Sequence, residues 1–365
     1  MMEQPFGVYV HIPFCARRCD YCSFAIWTDR GHLQVAFVDA VVADIERAVA
    51  GCMRLADTVF FGGGTPSLLP AELLVRILDA IPRTPGAEVS VECNPDDVSP
   101  DLFATYEAHG VTRVSLGVQS LVPEVLVALG RSHNVENVSN GVAWARAAKL
   151  SVNTDIIYGG SGETIDNWLT TVEAVLALEP DHLSAYALTV EPGTPLARDA
   201  DRHPDDDDQA DKYLLADERL SAAGYENYEI SNWAKPGHRC RHNQIYWNQA
   251  NYRGFGCAAH SHENGRRWWN LRTPDRYIAA VNANVSTEAS FELLGPEARR
   301  IEGLQLALRT RLGIPAASYS AGDLDDFVGG GLLEFCERSD GERGVRLTVA
   351  GRMMANALSL AILGA

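Results

Sequence analysis

The chain reads as an α/β protein: a six-stranded parallel sheet with crossover helices, too short for a closed eight-unit barrel, followed by a small, mostly helical C-terminal domain. Three observations carry this reading. Six short apolar, β-branched runs alternate with stretches of helical periodicity over about the first 190 of 365 residues. Each run ends, at the same end, in glycine or polar residues, which is the edge where parallel barrels place their chemistry. Near residue 235 the alternation gives way to a stretch rich in His, Asn, Tyr, Trp and Gly. The expected division is therefore 1–235 for the barrel and 236–365 for the C-terminal domain.

Taken in order, Phe6–Ile12 is a strand that runs into Cys15, Cys19 and Cys22. Phe37, Val41, Ile45 and Val49, four apart, predict a helix over Leu33–Met53. Asp57–Phe61 is a strand ending in Gly62-Gly63-Gly64-Thr65-Pro66, and Leu73–Ile81 a helix. Glu88–Glu92 is a strand, and Leu102–His109 a helix stopped by Gly110. Thr112–Val118 is a strand ending at Gln119-Ser120, followed by helices over Val122–Leu129 and Val135–Lys149. Val152–Tyr158 is a strand leading into Gly159-Gly-Ser-Gly162, then come a helix over Trp168–Leu178 and a strand over His182–Leu188. The acidic run Asp205–Asp208 caps the amphipathic helix Lys212–Ala223, and Tyr225–Ile230 alternates like a further strand. Residues 238–270 show little periodicity. Glu297–Arg309 is a helix, Gly329–Gly331 a turn, Gly344–Val349 a short strand, and a closing helix runs to Leu363.

A net charge of −17 argues against nucleic-acid binding. No run approaches the 18 or so apolar residues of a membrane span. The start, MMEQPFG, lacks the basic and apolar blocks of a secretory signal. Eight cysteines without such a signal imply a reducing compartment, so a cytoplasmic protein is expected. Composition leaves peripheral membrane contact open.

The spacing C-x3-C-x2-C at Cys15, Cys19 and Cys22 points to a metal or redox site rather than a disulfide. An iron–sulfur cube takes one ligand per iron, so three thiolates leave one iron open to a small molecule. The alternative is structural zinc completed by a distant ligand such as His11, His32, Cys52 or Cys93. Gly62-Gly-Gly-Thr lets backbone approach a ligand closely, or is only a tight turn; no Lys-Ser/Thr follows to make it a phosphate loop. Glu92 ends its strand at the same edge. Cys240, His242, Cys257, His260 and His262 are loosely spaced like a second zinc site.

The run Tyr9-Val-His-Ile-Pro-Phe-Cys15 with Cys19-Asp-Tyr-Cys22-Ser-Phe24 resembles the radical S-adenosylmethionine (radical SAM) superfamily, and within it oxygen-independent coproporphyrinogen III oxidase and its relatives. The resemblance implies a partial (β/α)6 radical SAM barrel. It implies a [4Fe–4S] cluster on Cys15, Cys19 and Cys22 with exchangeable S-adenosylmethionine on the open iron. Gly63, Gly64 and Thr65 would line the pocket for its amino group. Glu92 stands where the family places an S-adenosylmethionine-binding acid. Gln119, Arg131 and Asp155 match further family positions for the nucleoside and for a second S-adenosylmethionine, and Tyr9 also matches a family position. The oxidase proper has another cysteine two residues after the third, where this chain has Phe24. That departure, together with His242-Asn-Gln-Ile-Tyr-Trp247, resembles the HemW-type haem-chaperone branch. The implied function is to bind haem through His242 and deliver it to haem-requiring proteins such as respiratory enzymes. The alternative is an active coproporphyrinogen III dehydrogenase that works by radical oxidative decarboxylation.

Overall fold

The computed structural model describes residues 4–131, 133–338 and 341–363. The first half alternates as the pattern predicts: β1 (Phe6–Ile12), α1 (Gln34–Ala50), β2 (Ala56–Gly63), α2 (Ala71–Ala80), β3 (Arg83–Cys93), α3 (Pro100–Ala108), β4 (Arg113–Gln119), α4 (Pro123–Ala128), α5 (Val135–Ala147), β5 (Ser151–Tyr158), α6 (Ile165–Ala177) and β6 (His182–Ala187). The six strands pair in parallel, in chain order. Helix starts are set by local chemistry. Ser99, Asn134 and Thr164 accept the orphan N–H groups at the starts of α3, α5 and α6.

Strand alternation sorts the side chains onto two faces. Val8, Val10 and Ile12 of β1 and Val59 and Phe61 of β2 share one core with Phe37, Val41 and Ile45 of α1. Each such fully buried side chain contributes about 1.5–3 kcal/mol. The register puts Tyr9 beside Phe60, and Glu92 beside Ser115, on the opposite face. The barrel interior is therefore polar, and polar groups out of water need partners.

Beyond β6 the structure adds more strand than the periodicity announced. After α7 (Asp206–Ala222), capped by Asp205, the strand expected over 225–230 is a hairpin of β7 (Glu226–Glu229) and β8 (Asn232–Ala234). It is β8 that pairs, antiparallel, with β6. The aromatic stretch holds α8 (Arg241–Trp247), β9 (Asn251–Phe255), β10 (His260–Glu263) and β11 (Arg266–Asn270), followed by α9 (Pro274–Asn282) and β12 (Glu288–Leu293). β9 lies parallel to β1 on its free edge, and β10 to β12 continue antiparallel, giving a 12-stranded sheet. The remainder is α10 (Pro296–Leu308), β13 (Ile314–Pro315), α11 (Ala321–Gly329), β14 (Leu333–Glu337), β15 (Arg343–Leu347), α12 (Val349–Met353) and α13 (Ala355–Leu360). It has its own core around Leu308, Ile314, Tyr319, Leu333 and Val345, and β14 and β13 flank the single strand expected there. Among the described residues no helix is long and apolar enough to cross a membrane.

One buried ion pair fixes the loop after β5. Lys212 on α7 has no exposed surface, and its Nζ reaches the Glu163 carbonyl (2.7 Å), Asp208 Oδ2 (2.6 Å) and Glu163 Oε2 (3.2 Å). Glu163 Oε2 also accepts from the Gly159 N–H at 2.7 Å. Lys212→Ala leaves a buried carboxyl without its cation, and the expected loss is about 3–5 kcal/mol. Urea unfolding should show it, and Lys212→Met with Glu163→Leu should recover most of the loss.

Candidate active site

The cysteine loop leaves β1 and folds back on itself. The Cys15 N–H donates to the Trp27 carbonyl (3.1 Å), and the Trp27 N–H to the Pro13 carbonyl (2.8 Å). Arg18 ties the inside of the loop, donating to the carbonyls of Cys22 (3.2 Å) and Ile26 (2.7 Å). Asp20 anchors its far side, accepting from Arg202 at 2.9 Å. None of these ties is visible in the spacing of the cysteines.

The loop rests on the end of β2. Gly63 has φ +109°, a conformation that favours glycine, and a Cβ there would lie 2.4 Å from the His11 ring. A Cβ on Gly64 would lie 2.6 Å from the Phe14 carbonyl oxygen and 3.1 Å from Cys15 Sγ. These two glycines thus make room for the cysteine loop itself. Thr65 completes the contact, its Oγ1 lying 3.5 Å from Cys15 Sγ.

Loop and strand ends enclose a cleft of about 460 Å³, within the range of small-molecule sites. Cys15, Cys19, Cys22, Gly63, Gly64 and Thr65 line one side. Glu92, Gln119, Arg131 and Asp155 line the other. Gln119 carries a left-handed backbone, φ 61°, at the end of β4. Arg131 bridges the two sides: its Nη1 is 3.6 Å from Cys19 Sγ, and its Nη2 donates to Asn94 Oδ1 (2.6 Å) and the Gly117 carbonyl (3.1 Å). Asn94, Ser115 and Tyr186 also line the cleft. They were missed because a lone Asn, Ser or Tyr at a strand end carries no pattern of its own.

The charge balance of the cleft is specific. Burial pushes the Glu92 carboxyl up to about 8, the neighbouring Asp155 charge adds to this, and the Gly63 N–H at 3.2 Å works against it. Asp155 is raised by burial too, against hydrogen bonds from Ser115 (2.6 Å) and Asn153 (2.8 Å). The network continues inward: His182 Nδ1 donates to Asn153 Oδ1 (2.6 Å), and Tyr228 O–H donates to His182 Nε2 (2.7 Å). Two carboxyls side by side on a buried floor favour a cationic ligand.

Tyr9 lies beneath the cleft. Its hydroxyl donates to His11 Nδ1 (3.1 Å), and His11 Nε2 donates to the Ala25 carbonyl (2.8 Å), propping the exit of the cysteine loop.

His242 stands apart. The HNxxYW segment forms α8, which plugs the opposite, amino-terminal end of the barrel. There Glu88 caps its start and Gly7 packs against it. His242 has no exposed surface. Its Nδ1 pairs with Thr58 Oγ1 (2.8 Å), its Nε2 with the Tyr246 hydroxyl (2.8 Å), and Phe60 stacks on the ring at 5.2 Å. Both nitrogens are engaged, so this conformation gives His242 a packing role and no open coordination position.

Among the described residues no three His, Cys, Asp or Glu side chains converge on a single ion position. The second zinc grouping therefore does not assemble. Cys240 opens α8, Cys257 is buried, and the His262 ring is tied to the Ala250 carbonyl (3.1 Å) and the Gly265 N–H (3.2 Å). Tetrahedral zinc needs convergence, whereas a cubane needs one thiolate at each of several corners.

Comparison with known proteins bears on the same residues. Residues 9–175 match the radical SAM superfamily. The chain is 42% identical over 380 residues to heme chaperone HemW of Mycobacterium tuberculosis strain H37Rv, covering 100% of this chain and 96% of that protein. The chain belongs to the HemW family. Heme chaperone HemW of Escherichia coli K12 is 35% identical over 315 residues, covering 82% of this chain and 83% of the relative. In fold, the chain is similar to E. coli coproporphyrinogen III oxidase (HemN), a radical SAM enzyme, with a TM-score of 0.83 at 21% identity over 98% and 90% of the two chains. The α/β radical SAM fold is thereby established.

Membership of the superfamily implies a [4Fe–4S] cluster and S-adenosylmethionine, and the residues present fit both. Three thiols share one rim, the glycine end of β2 is open beside them, and the carboxyl pair suits a cationic sulfonium amino acid. The Glu92 carboxyl lies above its ordinary 4.5. The folded chain therefore holds more protons than the unfolded one, and Glu92's contribution, complete below that value, is lost as pH rises through about 8. The melting temperature of the ligand-free chain should fall from about pH 5 to about pH 8, and Glu92→Gln should flatten that fall. Adding S-adenosylmethionine to the wild type should raise the high-pH end.

Proposed function

We propose that this chain is a haem chaperone that binds haem and passes it to haem-requiring proteins in the cytoplasm. Its scaffold holds a [4Fe–4S] cluster through Cys15, Cys19 and Cys22. Gly63, Gly64 and Thr65 would face the amino acid end of S-adenosylmethionine. Glu92, Gln119, Arg131 and Asp155 would face its amino group and nucleoside, and Tyr9 would support the loop from below. When bound, the cluster supplies an electron and an open iron. The protein's own share is to orient, to exclude water and to hold charge.

One observation carries the choice of chaperone over oxidase: similarity to heme chaperone HemW extends along the whole chain, through the C-terminal unit. Phe24 supports it, standing 64% exposed two residues past Cys22, where the oxidase branch has a further cysteine. The oxidase reading keeps the same barrel and cleft but lacks that thiol.

The test uses anaerobically reconstituted protein. The expected preparation contains iron and sulfide, binds haem with a Soret shift, and transfers it to an apo-haem protein. Given coproporphyrinogen III, S-adenosylmethionine and a reductant, it should yield no protoporphyrinogen; turnover to that product would favour the dehydrogenase instead.

A further inference from the structure

Asp155 sits on the cleft floor, and the groups that hold it reach far below that floor. Ser115, Asn153 and His182 stand opposite one another on β4, β5 and β6, and Ser184 stands opposite Asp155 one layer higher. Strand alternation turns all five inward. His182 and Tyr228 are buried, and neither lines the cleft. What they do to Asp155 they do through other side chains.

The direction of every bond in this chain follows from its far end. The Cys240 N–H, at the start of α8, can only donate, and it meets the Tyr228 hydroxyl oxygen at 3.3 Å. The phenol proton is left for the other partner of that hydroxyl among the described residues, His182 Nε2 at 2.7 Å. A neutral imidazole that accepts at Nε2 carries its proton on Nδ1. Burial first, then Arg113 and His238, hold His182 well below its ordinary range, so the ring is neutral. Its Nδ1–H donates to Asn153 Oδ1 at 2.6 Å, which fixes the orientation of that amide. The amide nitrogen donates to Asp155 Oδ1 (2.8 Å) and to Ser115 Oγ (2.5 Å), and the Ser115 O–H donates to Asp155 Oδ2 (2.6 Å). From Cys240 to Asp155 every donor points the same way, each bond polarises the next, and both oxygens of the carboxyl receive a donor.

The alternative arrangement shows what His182 decides. With its proton on Nε2, the bare Nδ1 would face the Asn153 carbonyl oxygen, two acceptors in contact. Rotating the amide would relieve that clash and turn the carbonyl oxygen toward Asp155 instead. The tautomer of His182 thus selects which end of Asn153 the carboxyl meets.

We propose that His182 is a positioning residue for S-adenosylmethionine: with Tyr228 it fixes the Asn153 amide, so that Asn153 and Ser115 hold both oxygens of Asp155 from below and present the carboxylate to the ligand's hydroxyl and ammonium donors. This rests on S-adenosylmethionine binding in the cleft, which is part of the function proposed above, and extends that site to residues that never touch the ligand. It also ties the cleft to α8, because the chain begins at the amide that opens that helix.

The test is calorimetric titration of the full chain, with reconstituted cluster, against S-adenosylmethionine. Wild type, His182→Leu, His182→Asn, Asp155→Asn and the double variant His182→Leu with Asp155→Asn are compared. Circular dichroism checks folding, and iron and sulfide analysis checks the cluster. The expected result is roughly tenfold weaker binding for His182→Leu and recovery to within about twofold for His182→Asn, whose amide N–H replaces the Nδ1–H. In the Asp155→Asn background His182→Leu should add almost nothing. Nitrogen-15 NMR of the histidine-labelled protein should show a neutral His182 protonated on Nδ1, and Tyr228→Phe should move that proton to Nε2. If His182→Leu does not fold, Tyr228→Phe replaces it with the same weakening expected. If Asp155→Asn abolishes binding, the tautomer and the recovery by His182→Asn decide. Wild-type affinity in folded His182→Leu, an undiminished loss in the Asp155→Asn background, or an Nε2-protonated His182 overturns the assignment and leaves the S-adenosylmethionine site standing. A wild type that carries the cluster and binds no S-adenosylmethionine overturns both.

Discussion

The cysteine loop can lie against the end of β2 only because nothing projects from Gly63 and Gly64. The space a side chain would take at Gly63 is filled by the His11 ring, and that at Gly64 by the Phe14 carbonyl and the Cys15 sulfur. Because β1 and β2 are parallel neighbours, His11 stands opposite Gly62 and Ile12 opposite Gly63, so the loop leaving β1 must cross that strand end. A methyl group at either glycine would push the loop off its seat. The position of all three thiols follows from this close approach, and with it the position of any cluster they hold.

The rest of the interior answers to the same geometry. A loop seated over the β1–β2 end leaves the ends of β3 to β6 open, and there the strands present Glu92, Gln119 and Asp155 to one cleft. Those groups are buried, so they are held by a chain of side chains running down the barrel: Ser115 and Asn153 to Asp155, and His182 and Tyr228 beyond. The opposite end is closed by α8, whose His242, Ile245 and Tyr246 fill the space above Gly7 and Thr58. The barrel is thus open at one end and plugged at the other. The HNxxYW segment belongs to the plug.

The six parallel strands were legible because each is an apolar, β-branched run bounded by helical periodicity. The cleft was legible because parallel strands collect their end residues at one edge, which brought ten of the named site residues together. What escaped has physical causes. β10 and β11 are only 4 and 5 residues long and are built from His, Ser, Arg and Trp, so no hydrophobic alternation marks them. The turn at Ile230–Ser231 splits one alternating run into two strands. His242 was placed as a ligand by resemblance of its segment, and spacing alone does not tell a buried, doubly bonded imidazole from an exposed one. Arg18 acts through carbonyls of its own loop that no spacing announces, and Asp20, Asn94 and Ser115 act through contacts distant in sequence, which a single chain does not display.

The central claim is that the loop seated on those glycines holds a cluster with one iron left open toward the carboxyl pair. Electron paramagnetic resonance of the reduced, anaerobically reconstituted protein, recorded with and without S-adenosylmethionine, tests it most directly. The account predicts a [4Fe–4S] signal whose g values move when S-adenosylmethionine is added. A preparation with no iron–sulfur signal, or a signal that S-adenosylmethionine leaves unmoved, would contradict it.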